Sequence, residues 1–219
     1  MKPPAAQPFA AAGVNEDVTA VASLEHDAEL MLRVRDGCNS SFAILLERHR
    51  GPVVHYMFRM VQNQAVAEEL AQDVFLRVYR SRATYEPTAK FRTWLFRIAT
   101  HLALNWLRDG KHERGQESLD EELGDGMTRQ VPDGRPTVED RMLRDSRFEE
   151  VRKAIQTLPE KQRAAVLMHK YQEMDYAAIA GVFECSESAV KSLLFRAYET
   201  LRTRLAHLEA GRAERERRQ

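Results

Sequence analysis

Helical spacing of apolar residues is the sequence feature that most constrains the fold, because it continues over most of the chain. In "NQAVAEELAQDVFLRVYRS" the apolar positions Leu70, Val74 (or Phe75) and Val78 recur at intervals of three or four residues. Gly51-Pro52 is the main local signal for a break or for the first turn of a new helix. No run of alternating β-branched residues and no Asn-Gly hairpin signal is present. The sequence therefore predicts an all-α protein.

One long segment, residues 113–138, lacks this periodicity. It contains "GQESLDEELGDGMTRQVPDGRPT", in which Gly, Pro, Asp and Glu dominate, and such a composition is typical of a flexible linker. We therefore expect two small helical domains, 25–112 and 139–210, joined by a flexible acidic linker. A Pro- and Ala-rich extension, 1–24, is expected to be disordered, and 211–219 forms a short tail.

Charge is balanced overall but is unevenly distributed along the chain. The 219 residues include 33 Lys and Arg and 33 Asp and Glu. Residues 77–114 carry nine positive and three negative side chains, whereas 116–140 carry eight acids and two arginines. A basic segment of this kind suits phosphate binding, since each neutralised phosphate releases counterions. A solvated helix surface would show the same charges.

The segment "MDYAAIAGVFECSESAVKSLLFRAYETLR" has the layout of a helix-turn-helix. Asp175 can cap a short first helix, and the second helix carries an apolar side formed by Val190, Leu194 and Ala197. In such a unit the second helix enters the major groove and its first residues reach base edges. The opposite side would supply these contacts through Ser186, Glu187, Ser188, Lys191, Ser192 and Arg196. An ordinary helical hairpin is the alternative.

Three segments together carry a resemblance to a known family: "AEELAQDVFLRVYRS", "FRTWLFRIATHLALNWLR" and "LPEKQRAAVLMHKYQEMDYAAIAGVFECSESAVKSLLFRAYETLR". In order and spacing, the chain from about residue 27 to 206 resembles bacterial RNA polymerase sigma factors of the sigma-70 family. It is most similar to the small extracytoplasmic-function type, which keeps only the second and fourth conserved regions. Three matches in one order are more specific than a single helix-turn-helix.

The resemblance implies a role for each surface. The first domain would bind the clamp helices of the largest subunit of core RNA polymerase through Glu68, Glu69, Gln72, Asp73, Phe75 and Arg77. The same domain would open the −10 promoter element and hold its strands through Lys90, Arg92, Arg97, His101, Asn105, Arg108 and Lys111. The second domain would read the −35 element and touch the polymerase flap. Phe91 and Trp94 would pack in the core or stack on an unpaired base.

The chain departs from the family pattern at four positions. His101 replaces an Asn, Asn105 an Asp, Leu193 an Arg and Ser188 a Gly, and these differences put the promoter preference in question.

The resemblance also implies promoter DNA and an anti-sigma factor as partners, with no catalytic residue and no cofactor. The sequence itself shows no metal-ligand cluster, no phosphate loop and no run approaching the ~18 apolar residues of a membrane span. Cys38 and Cys185 are too far apart in sequence to suggest a metal site, and they are expected to be reduced thiols. We therefore expect a cytoplasmic protein without membrane insertion.

A different class of protein could use the same second domain. It is a stand-alone helix-turn-helix regulator whose first domain binds an effector or forms a dimer. Such a protein would bind duplex promoter DNA without polymerase, whereas a sigma factor needs the core enzyme.

Overall fold

The computed structural model describes residues 16–114 and 148–216, and it describes side chains for 26–110 and 148–208. These residues form helices joined by short turns, and no strand occurs among them. The elements are α1 (Glu16–Arg35), α2 (Asn39–Val61), α3 (Gln64–Arg80), a 3-10 turn (Arg82–Thr84), α4 (Phe91–Arg114), α5 (148–156), α6 (Glu160–Tyr171), α7 (Tyr176–Phe183) and α8 (Glu187–Glu216). The prediction of an all-α fold with two helical domains is confirmed.

Several predicted boundaries differ from the observed helices. Helix α1 begins at Glu16, inside the stretch 1–24 that was expected to be disordered. Helix α8 ends at Glu216, within the predicted tail. Apart from its first two residues, which end α4, the predicted linker 113–138 lies outside the described residues.

The first domain is a bundle of α1, α2, α3 and α4 with one apolar core. Met31, Met57, Val74 and Leu95, one from each helix, are completely buried there. Each large apolar side chain that is fully buried contributes about 1.5–3 kcal/mol to folding. The predicted stripe on α3 is confirmed, because Leu70 and Val78 are also buried. Packing in the bundle fixes the positions of α3 and α4 and leaves one face of each helix exposed.

Gly51-Pro52 does not end a helix, as the sequence suggested, because α2 runs without interruption from Asn39 to Val61. Proline inside a helix costs about 3 kcal/mol. The turn that follows Pro52 buries Val53, Tyr56 and Met57 in the core, and this burial offsets the cost.

A buried polar cluster ties α1 to α2. Asp27 is 2% exposed, accepts a hydrogen bond from Arg48 and pairs with Nε2 of His49 at 2.8 Å. Burial alone would raise the pKa of Asp27, but the hydrogen bonds and charges of His49 and Arg48 outweigh burial. They leave the pKa below its ordinary value of 3.8. The ionised carboxylate is therefore the form that holds the two helices together.

The second domain consists of α5, α6, α7 and α8. Val166 and Leu167 of α6 are buried with Ile179 of α7 and Val190 of α8. This domain also packs directly on the first, because α7 lies against α4 and α6 lies against α2 and α4. No local sequence pattern predicts that contact. Within the described ranges, no helix is long and apolar enough to cross a membrane.

Asp27→Asn should lower the free energy of unfolding by about 2–3 kcal/mol, because it leaves the buried partners of the carboxylate without a negative charge. At neutral pH the free energy of unfolding should differ from that of the unchanged chain by this whole amount. It should shrink as the pH falls below about 4, since a carboxyl with a lowered pKa loses its stabilising charge there. Urea unfolding of both proteins at several pH values measures this difference in the free energy of unfolding.

Asp36→Asn is the matched control, because Asp36 is exposed and, among the side chains that the structure describes, forms an ion pair with its neighbour Arg35 at 3.6 Å. Equal losses in the two variants, or a loss for Asp27→Asn that does not depend on pH, would contradict the role given to the buried carboxylate.

Candidate nucleic-acid interface

Helix α4 presents three different faces, and its helical periodicity assigns each residue to one of them. Phe91, Leu95 and Leu102 are buried in the first domain. Thr93 and Thr100 are buried on a second side, where Thr93 lies against α7 and Thr100 contacts both Tyr56 of α2 and Met168 of α6. A third side remains for solvent, and any ligand of α4 must approach it there.

The third side carries the α4 stripe, which we define as Arg97, His101, Asn105 and Arg108. These residues follow one another at intervals of three or four and therefore share one face of the helix. His101, Asn105 and Arg108 are exposed, and so is Lys90 just before the helix. Lys111, also predicted to bind the −10 element, lies in α4, but its side chain is outside the described ones. The structure thus brings most of the predicted −10 residues to one surface.

Arg92 and Arg97 have partners in the second domain. Arg92 lies off the α4 stripe and donates a hydrogen bond to Oε1 of Gln172 at 2.8 Å. Burial lowers the pKa of Arg92, and the nearby carboxylates of Glu173 and Asp27 oppose that shift. Arg97 forms an ion pair with Glu184 at 3.1 Å. In this arrangement each of the two guanidinium groups has a polar partner in the second domain, and Arg97 remains partly exposed.

The aromatic residues at the start of α4 divide between the core and the surface. Phe91 is buried, so it packs in the core and cannot stack on a base. Trp94 is partly buried, and its ring meets that of Tyr85 edge-on at a centroid distance of 4.9 Å. Of these two predicted residues, only Trp94 offers a surface next to the α4 stripe.

A second exposed surface, the α3 outer face, lies on the side of α3 away from the core. Most of the residues predicted to bind the polymerase are exposed on it: Glu68, Glu69, Gln72, Asp73 and Arg77. Phe75 differs from the prediction, because it is 6% exposed and belongs to the core. Leu76 takes its place at the surface with an exposed fraction of 50%, and the sequence reasoning missed it. The available signal in the sequence was that Leu76, a large apolar residue near several acidic ones, falls outside the helical stripe of α3.

The helix-turn-helix is formed as the sequence predicts. The Asp175 carboxylate accepts a hydrogen bond from the Ala178 backbone N–H at 2.7 Å, and Ser186 Oγ accepts one from Ala189 N–H at 3.2 Å. Both helix starts are therefore capped by side chains. Glu184 adopts a left-handed conformation with φ of 53°, which ends α7 and turns the chain toward α8.

The first turns of α8 form a reading face of six exposed residues, which are Ser186, Glu187, Ser188, Lys191, Ser192 and Arg196. The opposite side, with Val190, Leu194 and Ala197, is buried as predicted. Phe195 is 67% exposed beside Arg196, and the sequence reasoning did not include it. An aromatic ring among polar residues on this face can contact the methyl group of thymine.

Tyr176 of α7 lies next to the reading face. Its ring stacks on His169 at a centroid distance of 5.4 Å, and the Lys191 ammonium lies 5.8 Å from the ring centre. Cation–π attraction at this range restricts where the ammonium can lie. Burial lowers the pKa of His169, and the charge of Lys170 lowers it further. Both shifts favour the neutral form of the imidazole, beside which the Lys191 ammonium lies at the reading face.

Two family models match the chain. Sigma-70 region 2 matches residues 45–113, which include α3 and the α4 stripe. Sigma-70 region 4 matches residues 148–201, which include the helix-turn-helix and the reading face. Together they cover more than half of the chain.

Curated proteins and solved structures are similar over most of its length. The RNA polymerase sigma-H factor of Pseudomonas aeruginosa is 30% identical over 81% of this chain and 92% of its own length. The RNA polymerase sigma factor CarQ of Myxococcus xanthus is 34% identical over 82% of this chain and 97% of its own length. The fold is similar to that of the sigma factor RpoE in complex with the anti-sigma factor NepR from Bartonella quintana. That structure gives a TM-score of 0.59 at 18% identity, over 75% of this chain and 96% of the other.

Asp175→Ala should destabilise the second domain by about 1 kcal/mol, because the first N–H groups of α7 lose their side-chain acceptor. Asp175→Asn should cost much less, since the amide oxygen can accept the same bond. Hydrogen exchange at the Ala178 amide reports the cap directly. Equal exchange rates in the Ala and Asn variants would show that the cap does not stabilise α7.

Proposed function

The chain belongs to the sigma-70 family of RNA polymerase sigma factors, as an extracytoplasmic-function member, and serves promoter-directed transcription initiation by that polymerase. From this premise we propose that its first domain binds core polymerase and opens the −10 element, while its second domain binds the −35 element as duplex. The observation that carries the proposal is the presence of two separate exposed polar surfaces, the α4 stripe and the reading face, in one chain.

The α4 stripe has the chemistry required to hold separated strands. Arg97 and Arg108 can neutralise phosphates, and His101 and Asn105 between them can form hydrogen bonds with base edges. Trp94 lies at the N-terminal end of the stripe, and its ring can stack on an unpaired base. Such a contact is worth about 1–3 kcal/mol. Holding a base outside the duplex requires a surface that exists beforehand, because unstacking costs a few kcal/mol. The rigid helix α4 provides such a surface.

The reading face has the chemistry required to read a duplex. Lys191 and Arg196 can pair with guanine or with phosphate, and Glu187 can accept from the amino group of cytosine. Ser192 Oγ donates to the Ser188 carbonyl at 3.0 Å, so the small side chains lie close to the helix and leave room for the bases. Leu193, which stands where the family pattern implies an Arg, is partly buried and supplies no phosphate contact.

The α3 outer face is proposed to bind the clamp helices of the largest polymerase subunit. Leu76 would be its apolar centre and the acidic residues its rim, the usual anatomy of a protein interface. Phe75 would act indirectly, by fixing the helix from the core side. The second domain would also touch the polymerase flap.

An anti-sigma factor is proposed as a further partner, as for the similar RpoE protein, whose structure contains NepR. The cytoplasm, where polymerase and DNA occur, is the proposed location. The alternative of a stand-alone regulator has little support, because its effector or dimerisation domain would occupy the residues that match region 2.

The chain should bind purified bacterial core polymerase and direct it to discrete new start sites on a library of fragments from the source genome. Leu76→Asp should weaken core binding about tenfold or more, since it places a charge at the centre of the interface. Phe148→Asp, at an exposed apolar residue of the other domain, is the control and should bind normally. Footprints on free duplex DNA without core binding would favour the regulator.

Lys191→Ala and Arg196→Ala should each weaken holoenzyme binding to the −35 element, with a loss of about 1–3 kcal/mol where the side chain contacts a base. A side chain that contacts phosphate should instead reduce the slope of log affinity against log salt by about 1. Arg204→Ala, farther along α8, is the matched control. If both variants bind the −35 element as the unchanged chain does, the assignment of the reading face is wrong.

A further inference from the structure

One histidine of the second domain lies close to the reading face and takes no part in the function proposed above. His169 is near the end of α6 and is partly buried. Its Nδ1 atom lies 2.9 Å from the hydroxyl of Tyr198 in α8, and its ring stacks on that of Tyr176 in α7 with 12° between the planes. Among the described residues Nε2 has no hydrogen-bond partner, so it is the nitrogen left for a ligand.

Two lysines carry positive charge to the rings that surround this imidazole. Lys170 is exposed next to it in α6, and its ammonium lies 5.8 Å from the centre of the Tyr198 ring. The ammonium of Lys191 lies 5.8 Å from the centre of the Tyr176 ring. Side chains from three helices therefore place two cations and an imidazole on one surface, which suits an anionic ligand.

The other charged side chains at this surface are occupied elsewhere. Arg202 of α8 lines an open groove beside Lys170, and it forms an ion pair with Glu199. Two acids lie in the turn between α6 and α7. The carboxylate of Asp175 caps α7, and that of Glu173 acts on the guanidinium of α4 described above.

These surroundings set the protonation of His169. Burial lowers its pKa below the ordinary value of 6.5, and the charge of Lys170 lowers it further. Burial raises the pKa of Tyr198, so its hydroxyl stays protonated while the imidazole titrates. The imidazole is therefore mainly neutral at neutral pH in the free chain. An anion that neutralises the charge of Lys170 removes one of the two causes and favours the imidazolium.

The backbone of a bound duplex would pass this cluster. In a helix-turn-helix the second helix enters the major groove, while the first helix crosses the phosphate backbone. Tyr176 is the first residue of α7, and its ring contacts both His169 and Lys191 of the reading face. DNA seated on the reading face would therefore bring a phosphate group to the start of α7, beside the imidazole.

We propose that His169 and Lys170 form a proton-linked phosphate site, which binds the backbone of the −35 duplex beside the reading face. When DNA binds, the imidazole takes up a proton. Its Nδ1–H then donates to the Tyr198 hydroxyl, and its Nε2–H donates to a phosphate oxygen in a charge-assisted bond. The face of the Tyr176 ring also attracts the imidazolium.

Proton uptake makes the affinity for duplex depend on pH. The bound form holds one more proton than the free form, so the affinity rises as the pH falls. The gain is complete below the pKa of His169 in the free chain, and it vanishes above the pKa in the complex. The proposal rests on the −35 binding proposed above for the second domain and adds a pH dependence to it.

An NMR titration of the unchanged full-length chain tests the proton uptake directly. The imidazole signal of His169 is identified by its loss in His169→Gln. Its pKa should lie below 6.5 in the free chain and should rise when a random-sequence DNA duplex is added. Inorganic phosphate at millimolar concentration is the second probe, and it should cause little change because it makes no contact with the reading face. An unchanged pKa with duplex bound overturns the proposal. An equal rise with inorganic phosphate overturns the assignment of the ligand to DNA.

The affinity for the same duplex, measured by fluorescence anisotropy at about pH 7.5 and about pH 5.5, separates His169 from other titrating groups. The unchanged chain should bind about three- to tenfold more tightly at the lower pH, since a shift of one pKa unit corresponds to a factor of about ten. His169→Gln should bind weakly at both pH values. His169→Arg should bind tightly at both, and at the higher pH its slope of log affinity against log salt should be steeper by about 1.

His207→Gln is the matched control. It removes an exposed histidine of α8 that pairs with Glu150, and it should keep the pH dependence of the unchanged chain. A pH dependence that survives in His169→Gln, or one that disappears in His207→Gln alone, would refute the phosphate site.

These measurements distinguish the phosphate site from the proposed function, because a random-sequence duplex and the free chain require neither polymerase nor a promoter. If the chain fails to direct initiation but its duplex binding depends on pH through His169, the site stands and the proposed function fails. If it directs initiation but His169→Gln binds duplex as the unchanged chain does at both pH values, the proposed function stands and the site fails.

Discussion

The arrangement of the chain depends on helix α4, which packs against two different partners and leaves only its third side exposed. Leu95 and Leu102 fix it in the first domain, and Thr93 and Thr100 face the second. Close packing allows little rotation about its axis, because turning one face outward would expose another. The direction of the α4 stripe is therefore set by the core. This rigidity is what a surface for unpaired bases needs, and it also makes α4 available as a docking site for the second domain.

Local signals in the sequence were sufficient for the parts of the structure that depend on local chemistry. The helical stripe of α3 follows from spacing, because Leu70, Val74 and Val78 can meet one core only on a helix. The caps at Asp175 and Ser186 follow from side-chain oxygens placed three residues before backbone N–H groups that have no intrahelical partner. The exposed reading face then follows from the buried side of α8. Each of these features involves residues within about two helical turns of one another.

Features that depend on distant residues could not be read in the same way. Phe75 was assigned to the polymerase, but both it and its neighbour Val74 turned out to be buried, and spacing alone did not show how wide the apolar side of α3 is. Gly51-Pro52 suggested a break because the cost of a proline inside a helix follows from the local sequence. The burial of Tyr56 and Met57 that compensates for this cost depends on distant residues and does not. Arg92 was assigned to DNA as a lone cation, but its partner Gln172 lies 80 positions away in the sequence.

The contact between the two domains is held by interactions that are individually weak. The ion pair between Arg97 and Glu184 has side chains that are 38% and 64% exposed, so it contributes about 0–1 kcal/mol and weakens with salt. The hydrogen bonds from Gln156 and Arg163 end on carbonyls in the last turn of α2 that water can solvate once the domains part, which limits their net contribution to about 1 kcal/mol each.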